Sequence, residues 1–171
     1  MNILISGGHL TPALAFIDYA VQQHDHIIFV GRRFSQHATK QKSHEEREVV
    51  ARGVHFIPFD SAKLHHTSLQ QLLGQVYSFA HALVTARSIM QKHHPDVFLS
   101  FGGYLAVPIA IAAWSLGIPV VTHEQTKTAG VANKTIAFFA KRIAVSYAET
   151  LRFFPKQKTV ITGNPLREDI F

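Results

Sequence analysis

Residues 1–15 read MNILISGGHLTPALA, and the order of residue types in them decides the fold. Met1 to Ile5 is a short apolar run without polar–apolar alternation, the pattern of a strand covered on both faces. Ser6-Gly7-Gly8-His9 follows, and Thr11-Pro12 then opens a helical stretch. Proline fits the first helical turn, where its missing N–H costs nothing. Glycines between a strand and a helix let the backbone come close to a partner group, and the helix opening near Thr11 offers free N–H groups to an anion. The plain alternative is a tight turn into a helix. The spacing is not the GxGxxG of a dinucleotide-binding turn.

The rest of the chain repeats this alternation. Ile27–Val30, Val54–Ile57, Val97–Leu99, Pro119–Val121, Ile143–Val145 and Thr159–Ile161 are short and rich in β-branched residues. Between them, helices are predicted over Pro12–Gln23, Ala38–Arg52, Ser68–His93, Tyr104–Leu116, Ala129–Ala140 and Tyr147–Phe154, with Gly53 and Gly117 as C-terminal stops. The expected fold class is therefore α/β, a Rossmann-like doubly wound parallel sheet, with ligands outside the carboxyl ends of its strands.

Composition narrows the classes. A chain of 171 residues with 47% hydrophobic and 16% charged residues is globular and has room for one sizeable core. It has no cysteine, which excludes disulfides, thiolate metal sites and a thiol nucleophile. The net charge of +6 favours anionic partners. No apolar run is long enough to span a bilayer, and the start lacks the pattern of a secretory signal. The protein is expected to begin at its first strand.

Two further strand-end loops carry unusual chemistry. SFGGYLAVP, Ser100 to Pro108, places Gly102, Gly103 and Tyr104 after a strand and before a helix. THEQTKTAGVANK, Thr122 to Lys134, places His123, Glu124, Gln125 and Thr126 together after a strand. Four polar side chains there are hard to explain by packing, although a buried structural hydrogen-bonder is the common fate of such a residue. Metal binding is not expected, because a strand points His123 and Glu124 in opposite directions.

SGGHLTPALA, SFGGYLAVPIAIAAWSLGIPVVTHEQTKTAGVANK and GNPLRED together resemble the N-terminal domain of the MurG family of peptidoglycan N-acetylglucosaminyltransferases, in glycosyltransferase family 28. The resemblance implies the N-terminal half of a two-domain GT-B enzyme, inverting and independent of metal or cofactor. Such an enzyme transfers N-acetylglucosamine from UDP-N-acetylglucosamine to lipid I, giving lipid II, and works peripherally at the cytoplasmic face of the plasma membrane. Residues 1–162 are then the acceptor-binding domain, and residues 163–171 begin the linker to a donor domain absent from this chain. Alone, the chain is expected to be inactive.

The same resemblance implies the site. His9 stands where the family has its candidate general base, and Glu124 is the second catalytic candidate. Ser6, Gly7, Gly8, Thr126 and Arg167 fall on donor contacts. Gly102, Gly103, Tyr104, Gln125 and Asn133 fall on the side of the acceptor and its diphosphate. His123 is expected to orient its loop. Two departures stand out: the first loop lacks the family's leading Gly-Gly, and Thr126 replaces an Asn. They keep a divergent or split transferase with a different sugar open as an alternative.

An anionic membrane surface is the third expected partner. On a helical wheel Leu69, Leu73, Val76 and Ala80 form one stripe, expected to be core. Leu72 and Phe79 fall off it, and with Lys63 they are the expected membrane face. Rival readings are a nucleotide- or nucleic-acid-binding module and a one-domain nicotinamide enzyme. The first does not explain the HEQ and FGGY loops, the second lacks a GxGxxG and the acidic ribose ligand that follows it, and no nucleic-acid partner is expected.

Overall fold

A computed structural model describes residues 1–32, 43–61 and 69–166, with residues 69–72 described by backbone only. Its strands are β1 (Asn2–Ser6), β2 (His26–Gly31), β3 (His55–Pro58), β4 (Val97–Ser100), β5 (Val120–Glu124), β6 (Arg142–Val145) and β7 (Thr159–Ile161). Its α-helices are α1 (Leu10–Gln22), α2 (His44–Ala51), α3 (Leu69–His93), α4 (Ala106–Ser115) and α5 (Val131–Phe139). Seven strands pair in the order β3-β2-β1-β4-β5-β6-β7, and every pairing is parallel.

Strand composition explains this sheet. Ile3, Ile5, Ile27 and Phe29 pack on one face with Leu14 and Ile17 of α1 and Val49 of α2. The intervening Leu4, Ile28 and Val30 pack on the other with Ala86 and Met90 of α3 and Ile109 of α4. Both parities of β1 and β2 are buried, so these strands read as continuous apolar runs, whereas the edge strands β3 and β7 are only partly covered. Each large side chain removed from water contributes roughly 2 kcal/mol.

Chain direction sets the crevice. From β1 the chain winds outward through α1, β2 and α2 to β3, and α3 then carries it back to β4 on the other side of β1. The carboxyl ends of β1 and β4 are thus the switch point, where connections leave in opposite directions.

Three expectations are corrected. The second helix begins at His44, where Ser43 caps it by accepting the Glu46 N–H at 2.9 Å; part of the expected span, residues 38–42, lies outside the described residues. The segment after β6 is a 3₁₀ helix, Ala148–Phe153. On α3 the stripe expected to be core faces outward where it is described. Ala82, Ala86 and Met90 are buried, whereas Leu73, Val76 and Tyr77 are 67%, 57% and 75% exposed, and Phe79 is half-buried. Small alanines let α3 sit close to α4, so the bulkier side chains of its N-terminal half turn outward. Lys63 lies outside the described residues, as does the side chain of Leu72.

Candidate functional site

The glycines of the two turns touch each other. A Cβ on Gly8 would lie 2.5 Å from the Cα and N of Gly103, and one on Gly103 would lie 2.7 Å from the Gly8 Cα. Gly102 and Gly103 also have φ of +79° and +84°, a region costly for other residues. Bare backbone at both positions is therefore needed to close the turns over the switch point. The Phe101 N–H donates to the Ser6 carbonyl at 2.8 Å and joins the same two segments.

His9 stands on this junction, at the N-terminal boundary of α1, and its ring is exposed. Its Nδ1 lies 3.4 Å from the Phe101 carbonyl. With the proton on Nδ1 turned to that oxygen, Nε2 presents its lone pair to solvent.

Beside the junction opens a cleft of about 480 Å³, lined by Gly7, Gly8, Gly103, Tyr104, Arg32 and Glu45 among others. Arg32 follows β2; its guanidinium lies 5.4 Å over the Tyr104 ring and donates to the Tyr104 hydroxyl. Glu45, in the first turn of α2, is half-buried and accepts the Arg32 backbone N–H at 3.0 Å. Burial pushes its carboxyl up to about 7, against the pull of that N–H and the guanidinium.

Sequence reasoning missed Arg32 and Glu45. The available signal was Gly31-Arg32 directly after the apolar run Ile27–Val30, a place where a cation is otherwise out of context.

The third loop is built differently. Glu124 is 2% exposed, and four donors surround it. Oε1 accepts the Thr126 N–H at 3.0 Å and the Thr126 hydroxyl at 2.7 Å. Oε2 accepts the Gly130 N–H at 3.0 Å and Asn133 Nδ2 at 2.9 Å. Burial alone would raise this carboxyl; the bonds from Asn133, Thr126 and Gly130 outweigh it and hold it below the ordinary range. Asn133 is 3% exposed; it also donates to the His123 carbonyl and accepts the Thr122 hydroxyl at 2.8 Å.

Among the described residues, the remaining expected site residues are placed apart from this cleft. Glu124 and Asn133 bond to each other in the interior and do not line the cleft. Ser6, expected at the donor, is 1% exposed and lies at the end of β1. Thr126 is exposed, but its hydroxyl is engaged by Glu124 and the Thr128 carbonyl. Gln125 is half-buried, and Arg167 lies outside the described residues.

His123 is 4% exposed, its Nε2 3.1 Å from the Gly163 carbonyl and 3.4 Å from Ser146 Oγ, while Nδ1 is buried without a hydrogen bond. Burial pushes its pKa down, and the charge of His9 adds to this, against the Gly163 carbonyl and Glu124. The ring is therefore neutral near pH 7 and ties β5 to the chain leaving β7.

A parallel sheet of this order, with paired glycine turns closing its switch point, defines the Rossmann-like half of a GT-B glycosyltransferase. The glycosyltransferase family 28 N-terminal domain matches residues 6–145, and the chain belongs to that family. It is 33% identical over 166 residues to the UDP-N-acetylglucosamine--N-acetylmuramyl-(pentapeptide) pyrophosphoryl-undecaprenol N-acetylglucosamine transferase of Staphylococcus carnosus. It is 36% identical over 177 residues to the transferase of the same name from Lactiplantibacillus plantarum. These alignments cover 95% and 99% of this chain but 43% and 46% of the relatives, so the chain spans less than half their length. The solved structure of Acinetobacter baumannii MurG superposes with a TM-score of 0.75 at 25% identity, covering 95% of this chain and 46% of that one. A UDP-GlcNAc 2-epimerase from Methanocaldococcus jannaschii, 16% identical with a TM-score of 0.66 over 96% of this chain and 47% of its own, shares the fold.

Proposed function

We propose that this chain is the acceptor-binding half of an inverting transferase that moves N-acetylglucosamine from UDP-N-acetylglucosamine to lipid I. The observation that carries this reading is the junction of Gly8 and Gly103, with His9 exposed upon it and the cleft beside it. In the family's relatives such a reaction joins an acceptor hydroxyl to the anomeric carbon of the donor. In this chain His9 Nε2 takes the hydroxyl proton as the oxygen attacks, the bond to the UDP diphosphate breaks, and UDP leaves. The backbone of the glycine turns, Tyr104 and Arg32 face the acceptor diphosphate. Glu124 holds the third loop in shape and exchanges no proton. The uridine is bound by the part of the relatives that this chain does not span.

The enzyme is peripheral at the cytoplasmic membrane surface in this reading. No helix among the described residues is long and apolar enough to cross a membrane. The outward face of α3 carries Leu73, Val76, Tyr77 and Val84, and Trp114 on the neighbouring α4 is 58% exposed. Apolar area of this kind on a basic protein suits an anionic interface. Tyr77→Glu should release the protein from anionic vesicles; a variant that still co-sediments fully would remove this face from the membrane.

The deciding assay is transfer of labelled N-acetylglucosamine to a lipid I analogue, with and without an added C-terminal donor domain. Transfer is expected only with both halves, because much of the rate comes from holding donor and acceptor together. Robust transfer by the 171-residue chain alone would overturn the half-enzyme reading.

A further inference from the structure

The cleft beside the glycine junction holds two groups of opposite character that do not neutralise each other. The Arg32 guanidinium rests on the Tyr104 ring and hydroxyl and has no carboxylate partner among the described residues. The Glu45 carboxyl lies against Gly31 and accepts only the Arg32 backbone N–H, at 3.0 Å, leaving its remaining lone pairs without a donor among those residues. Resting on the reading of this cleft as the acceptor site, we propose that Arg32 captures the acceptor diphosphate and that Glu45 takes up a proton from water as it does so.

The physics follows from geometry. A diphosphate diester brings two negative charges into a cleft of about 480 Å³ that Glu45 lines. A half-buried carboxylate beside such a ligand lowers its energy by becoming neutral, and the neutral form can donate a hydrogen bond to a phosphate oxygen. Burial has already moved this carboxyl to about 7, so a nearby anion completes its protonation. Around Glu45 stand Arg32 from the end of β2, Tyr104 from the turn after β4, and His44 and Glu48 on its own helix; the turn after β1 brings only the uncharged Gly7 and Gly8 to the cleft. Glu48 is itself held by Arg52 at 3.0 Å. Affinity should therefore fall as pH rises through about 7, by about tenfold per pH unit at its steepest.

The probe is a soluble diphosphate diester joining a geranyl chain to an N-acetylhexosamine, whose phosphates do not titrate near neutrality. Calorimetry in two buffers of different ionisation enthalpy counts the protons taken up. The wild-type protein should take up close to one proton at the pH where affinity falls most steeply. Glu45→Gln should bind the probe with neither the uptake nor the pH slope, since its amide oxygen still accepts the Arg32 N–H. His44→Gln should retain the uptake, and Arg32→Gln should weaken binding about tenfold or more. An unchanged slope in Glu45→Gln, or uptake lost in His44→Gln instead, would overturn the proposal. Binding of the probe with no proton uptake defeats the proposal alone; no binding at any pH defeats the acceptor reading with it.

Discussion

Two polar clusters share one edge of this sheet, and they are built on opposite principles. At the ends of β5 and α5, Glu124, Thr126 and Asn133 use one another up: the carboxylate has four donors and the amide has partners on both ends. After β1 and β2 and in the first turn of α2, His9, Arg32 and Glu45 leave ring, guanidinium and carboxyl with capacity to spare. A residue type at a strand end therefore does not reveal a ligand contact; the count of partners already satisfied does. The first cluster is saturated within the chain; the second keeps donors and acceptors for a further partner.

The largest effect expected on this contrast is that of His9→Ala. Loss of a general base costs about a hundred- to ten-thousand-fold in rate. The ring is exposed and makes one long contact, so the melting temperature should move by no more than about 2 °C. A normal turnover in the complete transferase, or a large fall in stability with turnover retained, would place His9 with the structural cluster instead.

Glu124→Gln tests the saturated side and should do the reverse. One carboxylate oxygen becomes an NH₂ facing donors, which should cost about 3 kcal/mol of folding stability. Any loss of turnover should track the unfolded fraction. The pH signs of the two carboxyls are opposite. Glu124 is held below its ordinary range, so its contribution is present above the unfolded value of 4.5 and is lost as pH falls through the folded one. Glu45 is raised to about 7, so its penalty is absent below 4.5 and grows as pH rises through 7. Denaturation of Glu45→Gln should show a gain of about 1–2 kcal/mol near pH 8, allowing for the side chain's partial contact with water, and almost none near pH 4. A gain independent of pH would contradict that assignment.

The fold was legible because it is written in local signals. Runs such as Ile27–Val30 are apolar at both parities, and Gly53 and Gly117 stop their helices with φ of +71° and +73°. The position of the glycine turns and of His9 beyond a strand end was legible too, since strand, glycines and helix occur in order. What was hidden depends on distance in space. Nothing local says that Gly8 must meet Gly103, that Asn133 closes on Glu124, or that Arg32 crosses to Tyr104, 72 residues away. The face of α3 was misread because Leu73 and Val76 are more hydrophobic than the alanines that pack, while close helix contact rewards small size.

The smallest effect concerns Thr126, whose hydroxyl sits between two acceptors. Its Oγ is 2.7 Å from Glu124 Oε1 and also within bonding distance of the Thr128 carbonyl. A hydroxyl has one proton, so it can donate to only one of them at a time. The Thr126 backbone is fixed independently, its N–H on Glu124 and its carbonyl accepting the Thr150 hydroxyl at 2.8 Å. Thr126→Asn replaces the single donor by an NH₂ with two, which can serve both oxygens from the same backbone position. The expected result is a gain below about 1 kcal/mol in denaturant unfolding. Because the side chain faces into the loop's own bonds, the donor KM should stay within about twofold. A marked change in donor KM or in sugar choice would instead put Thr126 on the reactive side of the edge, and would show that the saturated cluster also reaches the substrate.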